Sequence, residues 1–300
     1  MDIERLCEKN MVIDIHTHLW PFEKSNEAMK QYLTNRISEY EFTADGLLKS
    51  MENAGIDMSV ISTLAFDSQM DNGQIDLFNR FIADTVKHSD GKLEGFCTIN
   101  PFEKGAGKYL RKCIEEYEMK GLKLHCNIQE FYPNDPVLDS VYGIMQEYGL
   151  PILFHSGGIG VRPYKDVYGR PILHDETAIK FPELKIILGH AGRIWYDETA
   201  MLLRKHKNIY ADISTNFGKT EETINYPIKK LLEITKGWAG NTEHLLFGSD
   251  FPFYGQTETM KNLKLMMKEH KEEIIVANED IENIYIYNTQ LFWDSLNLNK

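Results

Sequence analysis

The chain is poor in cysteine: four in 300 residues (Cys7, Cys97, Cys113 and Cys126), no two of them in a Cys-x-x-Cys pair. That spacing excludes a zinc ribbon and speaks against a disulfide framework, so reduced thiols in a cytoplasmic protein are expected. Long hydrophobic runs are also missing. No stretch approaches the ~20 apolar residues that span a bilayer. The first ten residues, Met-Asp-Ile-Glu-Arg-Leu-Cys-Glu-Lys-Asn, have none of the apolar character of a signal peptide. Nor is there a basic cluster: 33 Lys and Arg lie scattered among 45 Asp and Glu, for a net charge of −12. Neither a nucleic-acid nor a membrane partner is expected of such a chain. There is no Gly-x-Gly-x-x-Gly after the first apolar run, which removes the usual sign of a dinucleotide fold. No internal repeat, low-complexity tract or change of composition divides the sequence, and residues 1–300 read as one domain.

What is present is an alternation. Short β-rich apolar runs fall at Val12–His18, Met58–Leu64, Leu93–Ile99, Gly121–His125, Pro151–His155, Leu184–His190, Ile209–Ser214 and His244–Asp250. Amphipathic stretches lie between them. Thr43 can cap a helix to Asn53 with Gly55 beyond it, and Asn134 or Asp135 can cap another, with Pro136 in its first turn and Gly149 after its end. Further helices read at 74–88, 106–119, 196–205, 221–236 and 258–270. Eight strand–helix repeats with continuously apolar strands predict an α/β fold, a (β/α)8 TIM barrel, ahead of an open doubly wound sheet. Residues 276–295 read as extra C-terminal helix. Residues 19–42 form a long loop after strand 1, either a lid or an inert insertion.

The first strand ends in Ile-Asp-Ile-His-Thr-His. Alternation along a strand places Asp14, His16 and His18 on one face and Ile13, Ile15 and Thr17 on the other. Two imidazoles side by side are half of a metal site. In a barrel the active residues gather at the C-terminal strand ends, and those ends carry the remainder: Lys123 and His125 on strand four, His155 on five, His190 on six and Asp250 on eight. Any one histidine is more simply a satisfied core or surface residue. That reading holds for His88, His174, His206, His244 and His270. Five at strand ends together with an Asp are a pattern.

At these residues the chain resembles the amidohydrolase superfamily, most closely the amidohydrolase-related branch that includes aminocarboxymuconate-semialdehyde decarboxylase. The resemblance rests on Val-Ile-Asp-Ile-His-Thr-His, Gly-Leu-Lys-Leu-His, Pro-Ile-Leu-Phe-His-Ser-Gly, Leu-Gly-His-Ala-Gly and Leu-Phe-Gly-Ser-Asp-Phe-Pro. It continues to Glu-Asn-Ile-Tyr-Ile-Tyr-Asn-Thr-Gln-Leu-Phe near the C-terminus. It implies that His16, His18, His155 and Asp250 bind one divalent metal. Zn2+ suits such a set best, and Mn2+, Fe2+ or Co2+ also fit. His190 would be the catalytic partner of a metal-bound water, and Asp250 would ligate and also accept a proton.

Lys123 is read as an unmodified lysine paired with Asp14 or another barrel carboxylate, in preference to the carboxylated bridging ligand of two-metal relatives. His125 is read as a substrate contact. Arg193 and Arg162 would clamp a carboxylate, and Trp20, with Phe22, Trp195, Phe251 and Phe253, would line an apolar pocket. The expected function is a metal-dependent hydrolase of a small, anionic amide, lactone or ester. Nonoxidative decarboxylation needs the same ligands and stands as the alternative. A catalytically silent barrel is the third reading, and the intact residue set speaks against it. A homodimer is a family-level expectation.

Overall fold

Eight parallel strands run in the order β1 to β8 around one sheet: β1 Ile13–His18, β2 Met58–Ser62, β3 Leu93–Cys97, β4 Gly121–Leu124, β5 Ile152–His155, β6 Ile186–Gly189, β7 Ile209–Asp212 and β8 Leu245–Leu246. They come from a computed structural model that describes residues 11–24, 30, 42–65, 68–269 and 276–296. The extended chain after β8 meets β1 through Ile15 N–H to Phe247 O (3.0 Å), Asp250 N–H to His16 O (2.8 Å) and His18 N–H to Phe251 O (2.7 Å). That seam closes the barrel and rules out an open sheet. All eight strands begin within two residues of where the sequence places them. Most of residues 19–42, the expected lid or insertion, lies outside the described residues.

The helices follow their punctuation. Helix α1, Ala44–Ala54, starts where the Thr43 side chain accepts from Gly46 N–H and stops at Gly55, which takes the left-handed conformation at φ 74°. Helix α2, Asn72–Lys87, begins two residues before the apolar pattern because Asp71 and Gln74 form a capping box. Then come α3 Ala106–Glu115, α4 Asp139–Tyr148, α5 Asp175–Lys180, α6 Tyr196–Lys205, α7 Tyr226–Ala239 and α8 Gln256–Glu269. The expected helix 221–236 is in fact a 3-10 turn, Glu221–Thr223, followed by α7. Pro227 accounts for the break, since a proline is accommodated in a helix's first turn rather than its interior. The short α5 was not legible as a helix in the sequence.

Ile15, Val60, Phe96, Leu153, Ile187 and Leu246, one from each of six strands, form one buried cluster with Phe292 and Leu296 of the C-terminal helical segment. Ile15 corrects the simple alternation. The register of β1 against β2 shifts between Asp14 and Thr17. A bulge of this kind re-aims the side chains that follow it. Ile15 therefore packs inside the barrel, and His16 and His18 still meet each other. Asp14 is parted from them, accepting from Ser249 Oγ (2.6 Å) and Gln256 Nε2 (2.8 Å).

Candidate metal centre

Parallel strands bring their C-terminal ends to one side of the sheet. There β1 supplies His16 and His18, β5 His155, and β7 Asp212. Lys123 comes from β4, His125 and His190 follow directly on β4 and β6, and Asp250 lies four residues beyond β8. All are buried. Gly189, just before His190, has a local reason: a Cβ there would come within 2.6 Å of Phe154 O and 3.2 Å of His16 Cε1. Its absence lets the His16 and His190 rings stack with centroids 4.8 Å apart. His190 (φ 60°) and Asp250 (φ 69°) both take left-handed backbone, costly for non-glycine residues and concentrated at functional sites.

The donor atoms converge. His16 Nε2 is 3.2 Å from His18 Nε2. Asp250 Oδ1 is 3.3 Å from His18 Nε2 and 3.7 Å from His16 Nε2. One ligand atom each of His16, His190 and Asp250 lie within 4.8 Å of one another. His155 Nδ1 reaches His190 Nε2 at 3.1 Å, and the His155 ring lies flat on His125 at 3.9 Å. His155 is expected among the ligands and His190 beyond them, whereas this second group contains His190 and lacks His155.

Burial disfavours the charged form of four of these imidazoles. Burial pushes His18 from 6.5 to about 4, helped by the charges of His16 and Lys123 and opposed by Asp250. Burial likewise holds His125, His155 and His190 well below the usual histidine range, with Arg193 adding to the effect. Burial would raise Asp212, yet the His16 imidazole and hydrogen bonds from His16, Ser214 and the His190 N–H outweigh it and hold that carboxyl below its ordinary value. Burial lowers Lys123 to about 8 against the pull of Asp250 and Asp212.

These residues fit a metal ion. Asp212 Oδ2 lies 2.8 Å from His16 Nδ1 and, as a carboxylate, can only accept, so His16 carries its proton on Nδ1. His18 Nδ1 faces both the Ser62 hydroxyl at 3.0 Å and the Ser62 carbonyl at 3.3 Å. The two Nε2 atoms face each other with a carboxylate oxygen beside them. Such a cluster of electron-rich atoms suits a cation, and the Lys123 ammonium donates to His16 Nε2 at 2.8 Å where a metal ion would take its place. Moreover, His155 Nε2 is buried with no hydrogen-bond partner among the described residues, and a buried polar atom left bare is costly unless something binds it.

The other expected residues are found as follows. Lys123 donates to His16 Nε2 at 2.8 Å. Its expected pairing with Asp14 does not occur, because the bulge in β1 carries Asp14 off to Ser249 and Gln256. Arg193 donates to Thr215 Oγ1 at 2.7 Å, close enough to the imidazoles for its charge to act on His125, His155 and His190. Arg162 is exposed on the loop after β5. Trp20 is buried against His18 with centroids 5.5 Å apart, and Phe253 packs on both rings. His125 accepts from Ile128 N–H, capping the turn after β4. Asp212 and Ser214 were missed as site residues. Their signal was available: an Asp and a Ser two apart at the end of strand seven repeat the spacing of His16 and His18.

The amidohydrolase family model matches residues 13–289 of the chain. Similar solved structures include an amidohydrolase II at 20% identity (TM-score 0.70, covering 95% of this chain and 99% of that one). Another is a dihydroxybenzoic acid decarboxylase from a Polaromonas species, solved with manganese and the inhibitor 2-nitroresorcinol, at 17% identity (TM-score 0.69, 97% and 98%). A third is a 4-oxalomesaconate hydratase from Rhodopseudomonas palustris at 18% identity (TM-score 0.63, 96% and 97%). A search of curated proteins returns no significant match. Among the described residues no helix is long and apolar enough to cross a membrane.

Proposed function

The chain belongs to the amidohydrolase family, a family of enzymes, and from that premise we propose that it is a metal-dependent hydrolase of a small carboxylate-bearing amide, lactone or ester. His16, His18, His155 and Asp250 would hold one divalent ion, with zinc first and manganese next. The observation that carries the reading is the meeting of His16 Nε2, His18 Nε2 and Asp250 Oδ1 within 3.7 Å. When bound, the ion supplies Lewis acidity and a water acidified to a pKa of roughly 7.

The chain's own residues do the rest. Asp250 is placed to take a proton released at the centre. His190 presents Nε2 toward the same centre, where it accepts from His155 Nδ1 until a substrate displaces that bond. The Arg193 guanidinium, reached through Thr215, binds the substrate carboxylate. Trp20 and Phe253 wall the centre off from water, which strengthens each of these interactions.

Decarboxylation is the second reading. It is favoured by Arg193 beside the imidazoles, which would grip a carboxylate, and by the decarboxylase among similar structures. His190 would then take up on Nε2 a proton released at the centre and pass it to the carbon that loses CO2. Product analysis separates the two. The purified chain, loaded with Zn2+ or Mn2+, is offered aromatic and unsaturated carboxylic acids and carboxylate-bearing amides and lactones. An amide split into acid and amine, or a lactone opened to its hydroxy acid, supports hydrolysis, whereas CO2 released without net hydration replaces it with decarboxylation.

A further inference from the structure

We infer that Asp212 is a positioning residue that sets the proton placement on three histidines of the centre: His16 directly, His190 through Ser214, and His155 through His190. The inference rests on the metal reading above for its consequence, though not for its geometry. Asp212 Oδ2 accepts from His16 Nδ1–H at 2.8 Å. Its other oxygen accepts from His190 N–H (3.1 Å), Ser214 N–H (3.0 Å) and the Ser214 hydroxyl. With that hydroxyl proton committed to Asp212, Ser214 Oγ can only accept from His190 Nδ1, 2.8 Å away. His190 therefore carries its proton on Nδ1 and must accept on Nε2, where His155 Nδ1 donates at 3.1 Å. The last atom of the relay, His155 Nε2, is left as a bare lone pair with no partner among the described residues.

One carboxylate thus keeps Nε2 of His16 and His190 as an acceptor, toward Lys123 and His155 respectively, and leaves Nε2 of His155 bare. Such outer partners set the tautomer and orientation of ligating histidines.

An Asp212→Asn substitution exposes the logic, because it preserves shape and removes one acceptor. Three donors converge on Oδ1, so the amide must keep its oxygen there and turn its NH2 to His16 Nδ1. His16 must then accept on Nδ1 and carry its proton on Nε2, which removes the lone pair a ligand needs. Nitrogen-15 histidine NMR of the metal-free full chain reads these protons directly, with single His substitutions for assignment. The expected result is His16 as the Nδ1–H form in the wild type and the Nε2–H form in Asp212→Asn. The Mn2+ dissociation constant, read by electron paramagnetic resonance, should rise by about 10- to 100-fold. Ser214→Ala supplies the second arm and covers the case in which Asp212→Asn does not fold: His190 should lose its fixed Nδ1–H form while His16 keeps its own. A natively folded Asp212→Asn with His16 still Nδ1–H, or a Ser214→Ala with His190 unchanged, overturns the inference. A wild-type chain that binds no Mn2+ or Zn2+ sinks the metal reading instead, and leaves the tautomers measurable.

Discussion

His174 offers a test of how burial governs this protein's stability. It ends the 3-10 turn Pro171–His174 between β5 and α5, fully buried, with its ring tilted against Phe154 at 4.6 Å. Neither ring nitrogen has a hydrogen-bond partner among the described residues, and burial pushes the imidazole from 6.5 down to about 3. In the unfolded chain His174 takes up a proton near pH 6.5, whereas in the folded chain it refuses one until about pH 3. The folded pKa is depressed, so stability is complete above about pH 6.5 and is lost as the pH falls toward 3. Linkage gives a loss of about 1.4 kcal/mol at pH ~5.5 and about 2 kcal/mol at pH ~5. His174→Leu keeps an apolar side chain of similar size and removes the titration. Urea unfolding followed by circular dichroism at pH ~7.5, ~5.5 and ~5 gives both curves. The variant should match or exceed the wild type at the highest pH and gain on it by those amounts below. The buried histidines of the metal centre are common to both chains and cancel. Parallel pH dependences in the two proteins would refute the reasoning.

Other predictions address the centre. Dialysis against a chelator should abolish turnover, and one equivalent of Zn2+ or Mn2+ per chain should restore it; two stoichiometric metals would reassign Lys123 as a bridging ligand. Gly189→Ala drives a Cβ to within 2.6 Å of Phe154 O, so urea unfolding should show a loss of about 1–3 kcal/mol. Metal affinity should fall with it, since His16 is the next atom in the way. Arg193→Ala should lower kcat/KM for a carboxylate substrate by about 1.5–3 kcal/mol in transition-state terms and leave the neutral methyl ester unaffected; equal losses on both would remove the clamp. His155→Ala should abolish metal retention in equilibrium dialysis, and unchanged stoichiometry would place the ligand set on His16, His190 and Asp250.

Much of this was legible in the sequence because the signals are local. Strand runs, the Thr43 and Asp135 caps, Gly55 and Gly149 depend on a few consecutive residues, and each element formed close to where they place it. The same locality made His16, His18, His155, His190 and Asp250 conspicuous, since the ends of barrel strands are marked by apolar runs that stop. The amidohydrolase resemblance carried by those motifs agrees with the family match over residues 13–289. Local signals fail where the partner is remote. Alternation alone grouped Asp14 with the two histidines, but the bulge that parts them arises only as β1 is pinned between β2 and the chain after β8.

The sequence by itself determined that this is an eightfold α/β barrel and which histidines stand at its mouth, because periodicity and punctuation are properties of neighbouring residues. Tertiary structure alone decided how those histidines carry their protons. Asp212 lies 196 residues from His16 along the chain and 2.8 Å from it in space. Closing the sheet brings β7 within one strand of β1, and only a closed barrel can have one carboxylate accept from both His16 and the backbone of His190.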